Sequence, residues 1–280
     1  MYVIGLGEAG CNIAKCFGKY PQYKKIRIDT NDTAEIQIDT QSSHEDYEAR
    51  FPTLKELGDI VDSDCLVVVS GAGRISGGIL RLLEQIASNN VKILYIQPDL
   101  ELLSEVQKKQ ERVVKNVLQE YTRSGMLSEM MIVDNVAVEK GIGDLPIIGY
   151  YDILNQAIVN TLHMINVFAN TKPVLGNFVT PSEISRISTI GIMSMDEMEE
   201  KWFFDLTAPR DVVYYYGINE EELKTNGSLF KTITSYIKSK KRGDANISYG
   251  VFQTSYEQKF CYCISYSSVV QSNLDDQEIN

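Results

Sequence analysis

Two glycine loops hold the residues of this chain best suited to chemistry. Val67-Val68-Val69-Ser70-Gly71-Ala72-Gly73-Arg74-Ile75-Ser76-Gly77-Gly78 is a β-branched run that stops in glycines. An amphipathic pattern follows at once, with Ile79, Leu80, Leu82, Leu83 and Ile86 on one side. That order predicts a buried strand, a tight turn and a helix start. The first turn of such a helix carries unpaired N–H groups and the positive end of the dipole, which suit an anion such as phosphate. An ordinary strand-to-helix turn uses glycine the same way, so this loop alone decides nothing. A second loop of similar build opens the chain: Tyr2-Val3-Ile4, then Gly5-Leu6-Gly7-Glu8-Ala9-Gly10, then Ile13, Ala14 and Phe17 at helical spacing. It is a literal G-x-G-x-x-G. Asp29 ends the next strand, 19 residues beyond Gly10. A dinucleotide-binding unit places its ribose-binding acid at about that spacing. A nicotinamide- or flavin-dependent oxidoreductase therefore accounts for residues 1–40.

Other chemistries find little support. His44 and His163 are the only histidines, and His163 falls inside a helical pattern. The five cysteines, Cys11, Cys16, Cys65, Cys261 and Cys263, have no metal-ligand spacing; their odd number without an export signal points to a reducing cytoplasm. A net charge of −11 argues against a broad nucleic-acid surface, and Lys238-Ser239-Lys240-Lys241-Arg242 reads as a solvated helix C-terminus. No apolar run reaches the ~18 residues of a membrane span. Met1 leads straight into a strand, leaving no room for a targeting peptide. The expectation is a cytoplasmic protein with no membrane contact.

The elements that must position the loops can be read from periodicity. Strands are predicted at 65–69, 91–96 and 130–133, with helices from the second loop to about Ser88 and from about Leu100 to Gly125. Strands alternating with helices imply a parallel sheet covered on both faces, whose ligands sit at the carboxyl ends of the strands. Tyr150 to Ala169 predicts a helix so poor in charge that protein must enclose most of it. Beyond it the pattern predicts a capped helix at 180–187, a strand at 189–195 and an acidic helical stretch. A strand at 212–217, a helix over 220–240 and an antiparallel pair of strands, 246–253 with 259–266, complete it.

This order of parts resembles the tubulin/FtsZ superfamily over nearly the whole chain. Gly5 to Asn12 is similar to the family's first nucleotide loop, which implies a phosphate cradle from Gly7, Glu8, Ala9, Gly10, Cys11 and Asn12. Thr30-Asn31-Asp32 is similar to the Asn-Thr-Asp type of loop after the second strand. Gly71 to Gly78 stands where the family carries Gly-Gly-Gly-Thr-Gly-Thr/Ser-Gly, implying phosphate contacts from Gly71, Ala72, Gly73, Arg74, Ser76 and Gly77. Tyr151-Asp152-Ile153-Leu154-Asn155 is similar to the tubulin segment whose aromatic ring stacks on guanine and whose Asn bonds its edge. Physically, a ring and an amide one helical turn apart share a face, though an ordinary helix start looks the same. Arg112 falls near the family's phosphate- or ribose-side Arg. Thr171 to Asn177 resembles the FtsZ loop after the central helix, and Asp244 to Gly250 an FtsZ strand of the second domain.

The resemblance implies an α/β fold: a Rossmann-like nucleotide-binding domain over 1–149, a central helix over 150–171, a smaller α+β domain over 172–270 and an acidic tail over 271–280. It implies GTP or GDP as ligand, with Mg2+, and subunits of the same chain stacked head to tail. The tail, Leu274-Asp275-Asp276-Gln277-Glu278-Ile279-Asn280, is the candidate adaptor-binding segment.

Two departures matter. Arg74 replaces a Thr and Ile75 replaces the central Gly of the second loop; a β-branched residue does not readily copy a positive φ, so that loop should take another path. In the loop after the central helix, where the family has Asn-x-Asp-x-x-Asp, Asn177 fits, while Val179 and Ser182 stand at the acid positions and Glu183 comes one place late. Thr180, Pro181 and Glu183 also read as a capping box. Losing a positioned acid or base typically costs ~10²–10⁴ in rate. The expectation is a guanine-nucleotide-binding filament protein whose hydrolysis is slow or lost, with Glu183 and Asn177 as the catalytic candidates. A nucleotide-free scaffold and the oxidoreductase remain as alternatives.

Overall fold

β-branched runs flanked by glycine and charge form the strands expected of them. The computed structural model describes residues 1–240 and 245–272. Its first half contains β1 (Tyr2–Leu6), β2 (Lys24–Asp29), β3 (Ile36–Gln37), β4 (Asp64–Val69), β5 (Asn90–Gln97) and β6 (Glu129–Asp134), all parallel, in the spatial order β3-β2-β1-β4-β5-β6. Alternate residues of each strand serve opposite faces, as the pleat requires. Val3, Leu66, Val68 and Leu94 pack against α1 (Gly7–Phe17) and the long later helix, while Ile4, Val67, Val69 and Ile93 meet the two helices that follow β4 and β5. These are α3 (Ile79–Gln85) and α4 (Glu105–Ser124); a short α2 (His44–Arg50) precedes β4. The α4 start is stapled by a capping box in which Ser104 and Gln107 bond each other's backbone N–H.

After β6 come α5 (Asn135–Ile142) and α6 (Tyr150–Ala169). The 20 residues of α6 make a rod of ~30 Å. It buries Leu154, Ile158, Val159, Ile165 and Phe168 against the sheet. The second half adds β7 (Leu175–Asn177), β8 (Ile187–Ser194), β9 (Glu199–Trp202), β10 (Pro209–Asn219), β11 (Asn246–Thr254) and β12 (Phe260–Ser267), with α7 (Glu220–Thr225) and α8 (Leu229–Lys240). Their order is β8-β12-β10-β11-β7, with β9 on β8. Met130 pairs with Ile187 and Met131 with Ser188, so the two halves join in a single 12-stranded sheet.

Four expectations for the second half need correction. β11 and β12 are antiparallel but not neighbours, because β10 lies between them, parallel to one and antiparallel to the other. Residues Val212 to Ile218 of β10 are all buried, and such a strand needs a partner on each side. The acidic stretch after β8 is the β8–β9 hairpin, turned through Met198 at φ +53. The helix expected over 220–240 is two helices, divided where the Asn226 side chain accepts from the N–H and hydroxyl of Ser228. Residues 180–186 form no helix, and the Ser182 N–H is drawn to Asp211 Oδ2 instead. Asp244 and residues 273–280, which include the expected acidic tail, lie outside the described residues.

Candidate functional site

Because β1 and β4 are adjacent and parallel, both glycine loops emerge side by side at the carboxyl edge of the sheet. The first loop needs its glycines for close approach. A Cβ on Gly5 would overlap the Gly10 carbonyl, one on Gly10 would overlap the Val68 carbonyl, and Gly7 turns the chain at φ +72. The α1 helix therefore starts flat against the strand ends. Its N-cap is Leu6, which offers no side-chain acceptor, so the first-turn N–H groups are left for other partners.

The start of α1 borders a cavity of about 550 Å³. Glu8, Ala9 and Asn12 form one wall, Asp99 and Leu102 of the β5–α4 connection another, and Asn135, Glu139, Tyr150, Tyr151 and Asn155 the third. Asn155 is only 9% exposed, and its amide makes no hydrogen bond within the described residues. Asn135 Oδ1 is likewise buried with no partner. A buried amide oxygen is nearly always bonded, so a partnerless one beside a cavity favours a polar ligand there. Tyr151 lines the cavity, is 61% exposed and stands edge-on to Tyr150, ring centres 5.1 Å apart. The Tyr150 hydroxyl donates to Glu139 Oε2 at 2.7 Å; burial and that carboxylate push its pKa up to about 12.

Beneath the cavity the strand ends are tied by buried polar groups. Lys115 Nζ donates to Gln97 Oε1 at 2.7 Å, Gln97 Nε2 donates to Asp134 Oδ2 at 2.6 Å, and Asp134 Oδ1 caps α5 through the N–H groups of Val136 and Ala137. The network fixes where Asn135 and Glu139 stand.

The second loop is built differently. From Arg74 to Gly78 it winds as a 3₁₀ turn, and Ile75 adopts no positive φ. The Ser76 hydroxyl is buried, 2.9 Å from the Gly71 carbonyl and 2.6 Å from that of Gly73. Arg74 Nη1 donates to the Ser42 carbonyl at 3.2 Å. Ile75 leans on the first loop: a Cβ at Gly7 would come within 2.6 Å of Ile75 Cγ2. Gly71 is packed against Tyr95 and Glu111, and Gly77 against the His44 carbonyl.

Of the residues expected at a ligand, the structure thus brings Glu8, Ala9, Asn12, Tyr151 and Asn155 to one cavity. Gly7 and Gly10 lie behind that wall. Cys11 is buried there too, its thiol aimed at the carbonyls of Gly5 and Ile28 and pushed up to about 12 by burial and by Asp29. Gly71, Ala72, Gly73, Arg74, Ser76, Gly77 and the exposed Arg112 of α4 do not line it. Asn135 and Glu139 were missed. The signal was present in Asp134-Asn135, which close a strand at the same edge as the glycine loops. Asp29 is 6% exposed, and its carboxylate is engaged locally: one oxygen accepts from the Thr30 N–H and the other from the Asn31 amide, both at 2.7 Å.

Asn177 and Glu183 lie at the opposite edge. Asn177 pairs with Tyr249 near the start of β11. Glu183 is exposed and borders a second cavity, of about 420 Å³, with Lys92, Glu129 and Arg186 near the starts of β5, β6 and β8. No capping box forms around Glu183. Among the described residues, no cluster of three or more His, Cys, Asp or Glu could hold a metal, and no helix is long and apolar enough to cross a membrane.

This arrangement of glycine loops, central helix and second half defines an α/β fold of the tubulin/FtsZ nucleotide-binding type. An empty FtsZ dimer from M. jannaschii is similar to 95% of this chain and 87% of its own, with 11% identity and a TM-score of 0.66. TubZ of Bacillus thuringiensis serovar israelensis, in GDP-form protofilaments, matches 96% of this chain and 88% of its own at 15% identity, with a TM-score of 0.69. CetZ2 from Haloferax volcanii, a GTPγS-bound protofilament, matches 99% and 95% at 13% identity, with a TM-score of 0.68. At such identities the likeness is one of fold. No protein-family model matches the chain, and no curated protein sequence matches it.

Proposed function

We propose that this chain binds a guanine nucleotide in the cavity between α1 and α6 and assembles head to tail into filaments, with hydrolysis slow or lost. The observation that carries the first part is the buried, partnerless Asn135 Oδ1, which shares one cavity with the unbonded Asn155 amide and with Tyr151. A purine ring stacks on Tyr151, the amides bond its edge, and the first-turn N–H groups of α1 take the phosphate end. The nucleotide supplies a charged, exchangeable surface at one end of the molecule, and any Mg2+ would be carried chiefly by its phosphates.

Self-assembly rests on the two ends of α6. Ile147 and Ile148, just before its start and beside the cavity, are 95% and 92% exposed. At its other end Ile165, Asn166 and Ala169 reach the strand starts at Met1, Asp64 and Asn90. Val174, Val179 and Ile184 follow, exposed as well. Two different apolar patches at opposite ends of one rod cover each other only when copies stack, and such a contact propagates as a filament. The protofilament neighbours in the comparisons support this reading. Hydrolysis is expected to be weak because the loop after α6 has Val179 and Ser182 at the acid positions and keeps Glu183 as its one carboxylate.

Electron microscopy and sedimentation with and without GTP, read beside phosphate release, test this. Persistent filaments with little phosphate released are expected; rapid turnover coupled to disassembly contradicts the proposal. A nucleotide-free scaffold is the second reading, favoured by the Ile75 contact on Gly7. A thermal shift with GDP separates the two.

A further inference from the structure

We infer that the cavity is a nucleoside diphosphate site that does not register a third phosphate. The inference deepens the guanine-nucleotide reading above and rests on it. In a triphosphate site fed by two glycine loops, the second loop must offer N–H groups, a hydroxyl or a cation to the outermost phosphate. Here the hydroxyl is taken up within the loop and the cation is turned toward a neighbouring segment. The Ser76 hydroxyl lies against the carbonyls of its own loop, Arg74 donates to Ser42, and the loop is wound into a 3₁₀ turn. In their place Ile75 brings a methyl group to Gly7, where the first loop turns into α1. Hydrocarbon there cannot replace the water stripped from a phosphate oxygen.

The cavity itself agrees. It reaches Ser70 and includes none of residues 71–77. Among the described residues its wall carries three carboxylates, Glu8, Asp99 and Glu139, and no Lys, Arg or His. Each further phosphate charge therefore meets repulsion without a compensating cation. What remains for phosphate is the start of α1, an 11-residue helix whose Glu8 and Ala9 border the cavity. One helix start accommodates the phosphates next to the ribose, and the idle Asn155 amide holds the other end of the ligand.

Calorimetric titration of the full chain with guanosine, GDP and GTP in Mg2+ buffer tests this. The expected result is GDP and GTP binding within about threefold of each other, both more tightly than guanosine. GTP binding more than about tenfold tighter than GDP overturns the inference while leaving the guanine-nucleotide reading intact. No binding by any of the three overturns that reading, and the inference with it. In Ile75→Gly, opening the methyl's place should create a preference for GTP over GDP of about fivefold or more; an unchanged ratio in folded variant contradicts the role given to Ile75. The wild-type series decides the question even if this variant does not fold.

Discussion

The two glycine loops sit side by side on adjacent strands and do opposite things with the same residue type. In the first, Gly5 and Gly10 let backbone lie on backbone, so that α1 begins at the strand ends beside a cavity. In the second, glycines make room for neighbouring elements: Gly71 for Tyr95 and Glu111, Gly77 for His44, Gly78 for Phe51. Its polar side chains then close the loop upon itself. A glycine-rich strand-to-helix turn thus shows that something comes close, and only the surrounding residues show whether that something is a ligand or the protein.

Substitutions can break this contrast. Gly10→Val has the largest expected effect, because its Cβ would overlap the Val68 carbonyl, a backbone atom of a central strand. Overpacking against a fixed strand should cost ~3 kcal/mol or more, seen as a lowered denaturation midpoint or loss of soluble protein. Ser76→Ala should be milder, at ~1–2 kcal/mol, since it strips the buried Gly71 carbonyl of a hydroxyl partner while the Gly73 carbonyl keeps the Ser76 N–H. Its GDP affinity should stay unchanged if the loop is closed as described. Gly73→Ala should be the mildest, within about 0.5 kcal/mol by chemical denaturation. Gly73 has φ −81, and the nearest atom to an added Cβ is Ile75 Cγ2 at 3.9 Å. A large loss in Gly73→Ala would mean that the second loop opens to hold something.

Legibility in the sequence followed the same division. The alternation of β1, β4, β5 and β6 with helices could be read because each is a short apolar run with a turn signal after it, whereas β3 is two residues in a polar stretch that reads as loop. The ends of α6 fall where the pattern breaks, at Gly149 and Asn170. The second half was less legible because pairing there is long-range: no local pattern says that β10 inserts between β11 and β12. The motif Thr180-Pro181-Ser182-Glu183 has the chemistry of a helix start, but tertiary contact with Asp211 outweighed it. At the site, Tyr151 and Asn155 were visible through the family resemblance, since their helical spacing alone fits an ordinary helix start. Asn135 and Glu139 were not, since their value depends on the Lys115–Gln97–Asp134 chain that positions α5 and on the three walls that meet only in space.

Hydrogen exchange of the full chain with and without GDP tests the central claim most directly. The account expects slower exchange at residues 8–12, 135–139 and 150–155, with 71–78 unchanged because that loop is already closed upon itself. Slowing confined to 71–78, with none around Asn135 and Asn155, would contradict it.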